Sequence, residues 1–164
     1  IGDVRIITHS GGTNGQISLF LTVPERNFGM VVLTNNGSGG QLTQQVMKWA
    51  LKHYLNAEDP QPELQERTSE QLQEYAGAYQ AAMSRLELSV EDGALKAQVI
   101  PMGGFPKKDS PAGPTPPPVR VGVCGEDQLI VLDPPFAETR IDILRDDAGQ
   151  IAWLRFGSRI AKRQ

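Results

Sequence analysis

The chain contains a single cysteine, Cys124, so an intrachain disulfide is excluded. Aromatic residues make up only 6% of the sequence, and no apolar run approaches the length of a membrane-spanning helix. No signal peptide is visible, and Lys and Arg are scattered through a chain of net charge −3, which does not produce the basic patch of a nucleic-acid-binding protein. We therefore expect a folded globular chain with no nucleic-acid partner, no membrane span, no cofactor and no metal. Cys124 is expected to be a buried structural thiol.

The segment at residues 8–15, with the sequence THSGGTNG, is the most unusual part of the chain. The flanking residues 3–8 and 16–23 are rich in β-branched side chains, and residues 28–34 have the pattern of a third strand. Glycine weakens a strand unless something must approach its backbone closely. One interpretation is a substrate that lies along this edge and binds exposed N–H groups. The other is a wide hairpin loop whose glycines serve turn geometry alone.

The run up to Leu55 resembles the C-terminal part of serine β-lactamase-like hydrolases, a superfamily that includes class C β-lactamases, DD-peptidases and related esterases. Two motifs carry the resemblance. His9-Ser10-Gly11 matches the Lys-Thr-Gly or His-Ser/Thr-Gly triplet that the family places on an edge strand. Residues 21–35 look like the next hairpin of the family, in which a VPE(R/K) turn precedes a hydrophobic strand ending in Thr-Asn.

The resemblance implies roles for residues of this segment. His9 would polarise the substrate or tune a proton relay, and Ser10 would orient a substrate carboxylate or carbonyl. The backbone N–H of Gly12 would belong to an oxyanion hole, where one donor contributes about 3 kcal/mol to transition-state stabilisation. The expected catalytic positions are His9, Ser10 and Gly12, and the expected substrate-binding positions are Gly11, Thr13 and Asn14.

The resemblance also exposes a gap in the catalytic machinery. The family needs a Ser-x-x-Lys motif, in which the lysine amine helps to deprotonate the serine. No serine of this chain has a lysine three residues later. We therefore expect the C-terminal portion of a penicillin-binding or β-lactamase-related serine hydrolase that is inactive alone. The missing N-terminal part would be its partner. The substrate (β-lactam, peptide or ester) and the location of the parent, exported or cytoplasmic, stay open.

The sequence predicts two domains. Residues 1–57 would form the C-terminal part of a β-lactamase-like α/β domain, and residues 58–70 a polar linker. Within the first part, a helix over residues 41–55 would place Leu42, Val46, Trp49, Ala50 and His53 along its amphipathic spacing. A homodimer or larger assembly is expected through the exposed sheet edge, because so small a sheet has an unpaired edge and an uncovered apolar face.

Short strands joined by tight turns dominate residues 71–164, which predicts a small barrel or sandwich. A short helix over residues 69–75, with Ser69 as its N-cap, precedes them. The expected strands cover residues 85–90, 94–100, 119–124, 128–132, 139–145 and 151–156. This meander resembles the lipocalin-like domain appended to many β-lactamase-related proteins. Residues 101–118 hold seven of the twelve prolines and are expected to form a long loop, as a flap, a docking segment or a tolerated insertion.

The predicted fold class is therefore α+β, with a partial β-lactamase-like antiparallel sheet and a C-terminal helix followed by an all-β lipocalin-like small barrel. The alternative function is a lipocalin-like binding or interaction module with no catalytic role, whose cavity would hold an apolar ligand. The small size of such a barrel and the lack of an aromatic cluster favour a packed interior. Because the His-Ser-Gly-Gly segment has no role in the alternative, the hydrolase interpretation is preferred.

Overall fold

A computed structural model of the protein describes residues 1–13, 15–104, 107–134, 136–157 and 159–164. The chain divides into a first unit, Ile1–Gln61, and a second unit, Pro62–Gln164. The elements in chain order are β1 (Ile7–Thr13), β2 (Gln16–Val23), β3 (Phe28–Thr34), α1 (Gly39–Leu55), α2 (Ser69–Leu72), β4 (Gly77–Gln80), β5 (Ser84–Glu91), β6 (Ala94–Pro101), β7 (Val119–Gly125), β8 (Gln128–Val131), β9 (Arg140–Arg145), β10 (Ile151–Phe156) and β11 (Arg159–Arg163).

The first unit is built on a three-stranded antiparallel sheet in the order β1-β2-β3. Thr13 pairs with Gln16 across the tight turn between β1 and β2, where Gly15 has a φ of 75°. A single 3₁₀ turn joins β2 to β3 and ends at Asn27, whose φ of 47° is left-handed. Because side chains alternate along a strand, β2 buries every second residue on one face of this sheet.

Helix α1 covers that face of the sheet. Met47 and Leu51 of the helix belong to one apolar cluster with Leu19, Leu21 and Val23 of β2. The helix ends at Leu55, and the left-handed backbone of Asn56 that follows lets the Ala57 N–H donate to Leu51 O at 3.1 Å. The second and third strands and the helix predicted from the sequence are thus confirmed as elements. The first strand covers Ile7–Thr13 and not the predicted residues 3–8, so the glycine-rich segment itself is in the sheet.

The side of α1 that faces the sheet differs from the predicted side. The buried residues are Gly39, Thr43, Met47, Ala50 and Leu51. Of the predicted face, Leu42 and Trp49 are exposed. The two stripes are neighbours on the helix surface, about 100° apart, so apolar spacing alone does not separate them. The consequence is a helix with apolar residues on its solvent side as well.

The second unit is a closed antiparallel barrel of eight strands, in the order β10-β11-β4-β5-β6-β7-β8-β9. Pairing of Lys162 with Gln80 and of Arg163 with Tyr79 closes it. The cluster of buried residues inside consists of Leu72, Tyr75, Tyr79, Leu86, Leu88, Leu95, Ala97, Val121, Val123, Leu129, Val131, Ile141, Ile143, Ile151, Leu154 and Ala161. Eight strands give an interior that side chains are able to fill, and here they do. The predicted β-barrel is confirmed.

Local sequence explains how the barrel begins and turns. Thr68 caps α2 by accepting a hydrogen bond from Gln71 N at 3.3 Å, while the Gln71 side chain accepts one from Thr68 N at 2.9 Å. The cap is therefore Thr68, one residue before the predicted Ser69. Asp92 and Gly93 both have positive φ values, 52° and 78°, which is the geometry of a two-residue hairpin turn between β5 and β6.

The fold class predicted from the sequence is wrong. The chain is mostly β, because its largest part is the closed barrel and its described helices are α1 and the single turn of α2. The sheet of the first unit is a plain meander of three strands. The predicted α+β class relied on matching one strand and one hairpin to a family, and such local matches leave the rest of an architecture undetermined.

The proline-rich segment is irregular wherever it is described. Residues 102–104 and 107–118 form no strand or helix, and residues 105–106 lie outside the described part. Gln98 Nε2 donates a hydrogen bond to Pro116 O at 3.2 Å, which ties the end of the segment to β6. Because proline supplies no N–H, these residues do not extend the sheet. The predicted roles of this segment stay predictions.

Candidate functional site

The predicted site residues lie together on β1, an edge strand whose residues are all exposed. His9, Ser10, Gly11 and Gly12 follow one another along the strand, and Thr13 ends it. Asn14 lies outside the described residues. The segment is therefore a strand up to Thr13 and not the wide loop of the second interpretation.

Side-chain hydrogen bonds reveal which way the backbone groups of β1 point. Thr8 Oγ1 donates to Phe20 O at 2.8 Å, so this carbonyl of β2 points toward β1. Ser18 Oγ donates to Gly11 O at 3.4 Å, so the Gly11 carbonyl points toward β2. Backbone groups alternate in direction along an antiparallel strand. The N–H and C=O of Gly12 therefore point the other way, toward the free edge.

The same alternation applies to Ser10 and Thr8, whose backbone N–H and C=O groups also face the free edge. The turn agrees with this assignment, because the residues that flank a two-residue hairpin turn exchange hydrogen bonds and Thr13 pairs with Gln16. The edge of β1 is thus a row of unpaired donors and acceptors, which is the arrangement that binds an extended backbone or a carbonyl.

The side chains of His9 and Ser10 project to opposite faces of the sheet. Ser10 lies across from Leu19, on the face that α1 covers. His9 lies across from Phe20, on the uncovered face. A group bound at the edge is within reach of both faces, whereas a group bound flat on one face contacts only one of the two side chains. The structure therefore favours a ligand at the edge.

A cleft of about 790 Å³ lies beside the glycine-rich end of β1. Its lining consists of Gly11, Gly12, Thr13, Gln16, Ile17, Ser18, Leu33, Thr34, Asn35 and Leu42. This lining contains aliphatic, hydroxyl and amide side chains and no charged group. Such a surface suits an uncharged, partly aliphatic group. Gln16, Leu33, Asn35 and Leu42 did not stand out in the sequence, because only the hairpin and the start of α1 bring them to the glycines.

The uncovered face of the sheet carries apolar side chains that sequence reasoning did not assign individually. Ile7, Phe20, Val31 and Leu33 are all exposed, Val31 at 60% and Leu33 at 76% of its surface. Val31 lies across from Phe20, so these side chains are neighbours on one face. We call Phe20, Val31 and Leu33 the apolar face. Exposed apolar patches of this kind mark interaction surfaces.

The polar groups of the barrel serve its structure. Arg145 lies between Glu74, at 2.5 Å, and Asp127, at 2.7 Å. Arg120 donates to Asp133 at 2.7 Å, and this hydrogen bond holds the pKa of the Asp133 carboxyl below its usual value. Burial raises the pKa of the half-buried Cys124 thiol. Across the described residues, no three His, Cys, Asp or Glu side chains are grouped to hold a metal ion.

A second, smaller cleft of about 380 Å³ lies on the barrel beside Arg85 and Glu87. Arg85 and Glu87 form an ion pair at 2.8 Å. The Arg85 Nε is buried and is the one such side-chain atom without a hydrogen-bond partner in the described structure. Because the Arg85 charge is already paired and much of its side chain is exposed, this cleft lacks the fixed, unpaired charge that would mark a site. Within the described ranges, no helix is long and apolar enough to cross a membrane.

Comparison with protein-family models and with curated proteins finds no match to this chain. Solved structures do match. A crystal structure of SurE with D-Leu is 17% identical, with a TM-score of 0.59 over 97% of this chain and 35% of its own. A crystal structure of SurE is also 17% identical, with a TM-score of 0.58 over 96% of this chain and 34% of its own. The likeness is one of fold. The chain spans about a third of the length of these structures.

These comparisons correct the family predicted from the sequence. The reported structural neighbours are described as SurE, and neither is described as a β-lactamase, a DD-peptidase or an esterase. Together with the closed eight-stranded barrel, they overturn the identification of the chain as a serine β-lactamase-like fragment. The physical reason is that His9-Ser10-Gly11 and the following hairpin describe an exposed, glycine-rich edge, a local feature that does not specify a superfamily.

Proposed function

We propose that the chain is the carbonyl-binding part of a larger acyl hydrolase and is inactive alone. In this proposal the free edge of β1 binds the substrate, and the Gly12 N–H donates to its carbonyl oxygen. The nucleophile comes from chain outside these residues. The single observation that carries the proposal is the outward direction of the Gly12, Ser10 and Thr8 backbone groups. Fixed N–H donors of this kind stabilise the oxyanion that develops in acyl transfer.

Two further observations support the proposal. The uncharged cleft beside Gly12 has room for an aliphatic side chain next to the bound carbonyl. One structure of similar fold was determined with D-Leu, an aliphatic amino acid, and the matched region is only about a third of that protein. We therefore propose an amide or ester of an aliphatic acyl group as the substrate class. Ser10 would orient the substrate from the covered face, and His9 from the uncovered one.

The partners in this proposal follow from what the chain lacks. The remainder of a longer hydrolase would contribute the nucleophile and the base that activates it. A free sheet edge would in addition support a homodimer or a larger assembly of this chain.

The test is a titration of the ¹⁵N-labelled chain with N-acetyl-D-leucine amide, monitored by the backbone amide resonances. We expect saturable shifts of the Gly12 and Ser10 amides, because these N–H groups face the edge. The Gly11 amide, which pairs within the sheet, should move less. Binding through one or two neutral hydrogen bonds gives a dissociation constant on the order of tens of millimolar.

Matched glycine variants separate the donor from the fold. In Gly12→Pro the outward N–H is gone while the ladder to β2 keeps its bonds, so binding should weaken about fivefold or more. In Gly12→Ala the N–H stays and only Ile17 Cδ1, 3.2 Å from the added methyl carbon, must adjust, so binding should persist. Shifts confined to the barrel, or equal binding by both variants, would contradict the proposal.

The binding-module alternative has less support. The described part of the barrel interior holds a cluster of sixteen buried residues, and an apolar ligand would compete with them for that space. An apolar dye that bound the barrel with defined stoichiometry would favour this alternative and would leave the amides of β1 unshifted.

A further inference from the structure

We propose that Asn36 is a self-modification site, at which the backbone nitrogen of Gly37 attacks the Asn36 side-chain amide and converts the residue to aspartate or isoaspartate. The inference does not rest on the hydrolase proposal. It concerns the connection between β3 and α1, and it assigns to this connection a slow chemical change that alters the start of the helix.

Asn36 is the one asparagine of the described residues that precedes a glycine. A side chain on the following residue shields its backbone nitrogen and restricts its dihedral angles, and glycine has no side chain. The other described asparagines, Asn27, Asn35 and Asn56, precede phenylalanine, asparagine and alanine. They are therefore comparison positions within the same chain.

The turn that contains Asn36 leaves its neighbour room to move. Asn36 and Gly37 are both exposed, and nothing lies within 4 Å of the position that a Cβ on Gly37 would occupy. Asn36 Oδ1 accepts a hydrogen bond from Ser38 N at 2.8 Å, which draws electron density from Cγ and makes it a better electrophile. Attack requires rotation of the peptide unit between Asn36 and Gly37, which the open surroundings of the glycine permit.

The reaction needs only water besides the chain. The Gly37 nitrogen forms a bond to Asn36 Cγ, the bond from Cγ to the side-chain nitrogen breaks, and that nitrogen takes the Gly37 proton and leaves as ammonia. The product is a cyclic imide. Water then opens the imide: breaking the bond from Gly37 N to Cγ gives aspartate, and breaking the bond from Gly37 N to the Asn36 backbone carbonyl carbon gives isoaspartate.

Both products affect the first turn of α1, because Asn36 supports it. The Asn36 carbonyl accepts a hydrogen bond from Gly39 N at 2.9 Å, and its side chain accepts the one from Ser38 N. The first turn of α1 has no acidic residue, and Ser38 makes no side-chain capping bond. Aspartate at position 36 keeps both acceptors and adds a negative charge near the helix N-terminus, where it is favourable. Isoaspartate lengthens the main chain by a methylene and displaces both acceptors.

The isoaspartate product would also alter the cleft beside β1. Thr34 and Asn35 line this cleft from the end of β3, and Leu42 lines it from α1. Gly39, at the start of α1, packs directly on Thr34. A longer main chain between Thr34 and Gly39 therefore moves the start of the helix, and Leu42 with it, relative to the strand.

The experiment is incubation of the full chain at several pH values, followed by trypsin digestion and mass spectrometry. Trypsin places Asn27, Asn35 and Asn36 on one peptide, residues 27–48, and Asn14 on another. We expect Asn36 to convert at least about tenfold faster than Asn27 and Asn35. The rate at Asn36 should rise with pH, because the deprotonated backbone nitrogen is the attacking form.

Gly37→Ala is the matched variant that keeps the fold. The φ of Gly37 is not left-handed and its added Cβ meets no atom within 4 Å, so alanine fits the turn. Its methyl group should slow the conversion of Asn36 at least about tenfold with an unchanged circular dichroism spectrum. Equal conversion of Asn35 and Asn36, a rate independent of pH, or an unchanged rate in Gly37→Ala would overturn the inference.

A second variant, Asn36→Asp, tests the effect on the helix separately. It should raise the urea midpoint of the first unit, followed by the helical circular dichroism signal, because the carboxylate strengthens the bonds to the first turn. Protein enriched in isoaspartate should have a lower midpoint than the unmodified chain. A lower midpoint in Asn36→Asp would overturn the assigned role of Asn36 at the start of α1. Neither result depends on ligand binding at β1, so the hydrolase proposal stands or falls by its own titration.

Discussion

At the scale of single residues, a close contact can determine which residue type fits a position, and Gly39 is the clearest case. It is the first residue of α1 and is buried beside Thr34 at the end of β3. A Cβ on Gly39 would overlap Thr34 Oγ1 and Cβ. Thr34 cannot easily turn away, because its hydroxyl bonds Ile17 O. Glycine here permits the close approach of helix and sheet, which brings Leu42 to the cleft.

The variant Gly39→Ala should destabilise the first unit by about 1 to 3 kcal/mol, because the added methyl overpacks a buried contact. Gly40→Ala is the matched control, since nothing lies within 4 Å of its added Cβ. That variant should be neutral or stabilising by up to about 1 kcal/mol, because alanine is the better helix former. Urea denaturation monitored by Trp49 fluorescence, in a Trp153→Phe background that removes the barrel's tryptophan, measures both. Equal effects of the two substitutions would show that crowding at Thr34 is not the cause.

Cys124 illustrates how burial controls a reactive group. Burial raises the pKa of its thiol, and the nearby Arg140 guanidinium opposes this only in part. Since the thiolate is the reactive form, its fraction near neutral pH is smaller than for a free cysteine. Alkylation by iodoacetamide should therefore be slower than that of glutathione at pH 8, and its rate should still be rising with pH above 9 in the folded chain. A rate that levels off below pH 8 would contradict this.

At the level of elements, the sequence predicted best where side-chain periodicity reports burial directly. The strands β2 and β3 and the pair β5–β6 contain residues that alternate between more and less buried, and the structure has them within a residue or two of the predicted bounds. Two barrel strands were missed. β4 has only four residues and starts at a glycine, and β11 buries only Ala161 among its five residues. Their pairing depends on each other, which a local pattern cannot show.

The sequence predicted where in the chain the candidate site lies. It did not predict which backbone groups face the free edge or which other residues line the cleft. His9 to Gly12 stand out by composition, but the direction of each N–H depends on register, which the turn between Thr13 and Gln16 determines. The cleft could not be predicted from the sequence, because Leu33 and Leu42 line it from two other elements, β3 and α1. The family assignment failed for the related reason that a triplet on a strand carries information about that strand alone.

For the molecule as a whole, the two units can be compared by how much apolar surface each of them buries on folding. Each unit has its own apolar cluster, seven buried residues in the first and sixteen in the second. A small unit buries a smaller fraction of its surface, so it gains less from folding per residue. The barrel is also closed, whereas both edges of the first unit's sheet are unpaired among the described residues. The barrel should therefore be the more stable part.

Calorimetry of the full chain should show two transitions, with the barrel melting at the higher temperature. Leu129→Ala, in the barrel core, should lower only the upper transition temperature, and Leu21→Ala only the lower one. Each substitution should reduce the free energy of unfolding of its unit by about 2 to 5 kcal/mol. Both leucines have no exposed surface, so the two substitutions are matched in burial. A single transition that both variants shift would show instead that the units unfold as one.

The closing contact of the barrel has a consequence for synthesis on the ribosome. β4 pairs on one side with β5, but its other neighbour, β11, is made roughly eighty residues later in the nascent chain, and Arg163 then donates hydrogen bonds to the carbonyls of Glu74 and Ala76. At roughly 5 to 20 residues per second, translation leaves Gly77–Gln80 without that neighbour for several seconds. During that interval the emerging polypeptide exposes the apolar strands of an incomplete barrel, and a chaperone that binds such strands could bind there. Barrel closure is therefore an event that follows synthesis of its last strand.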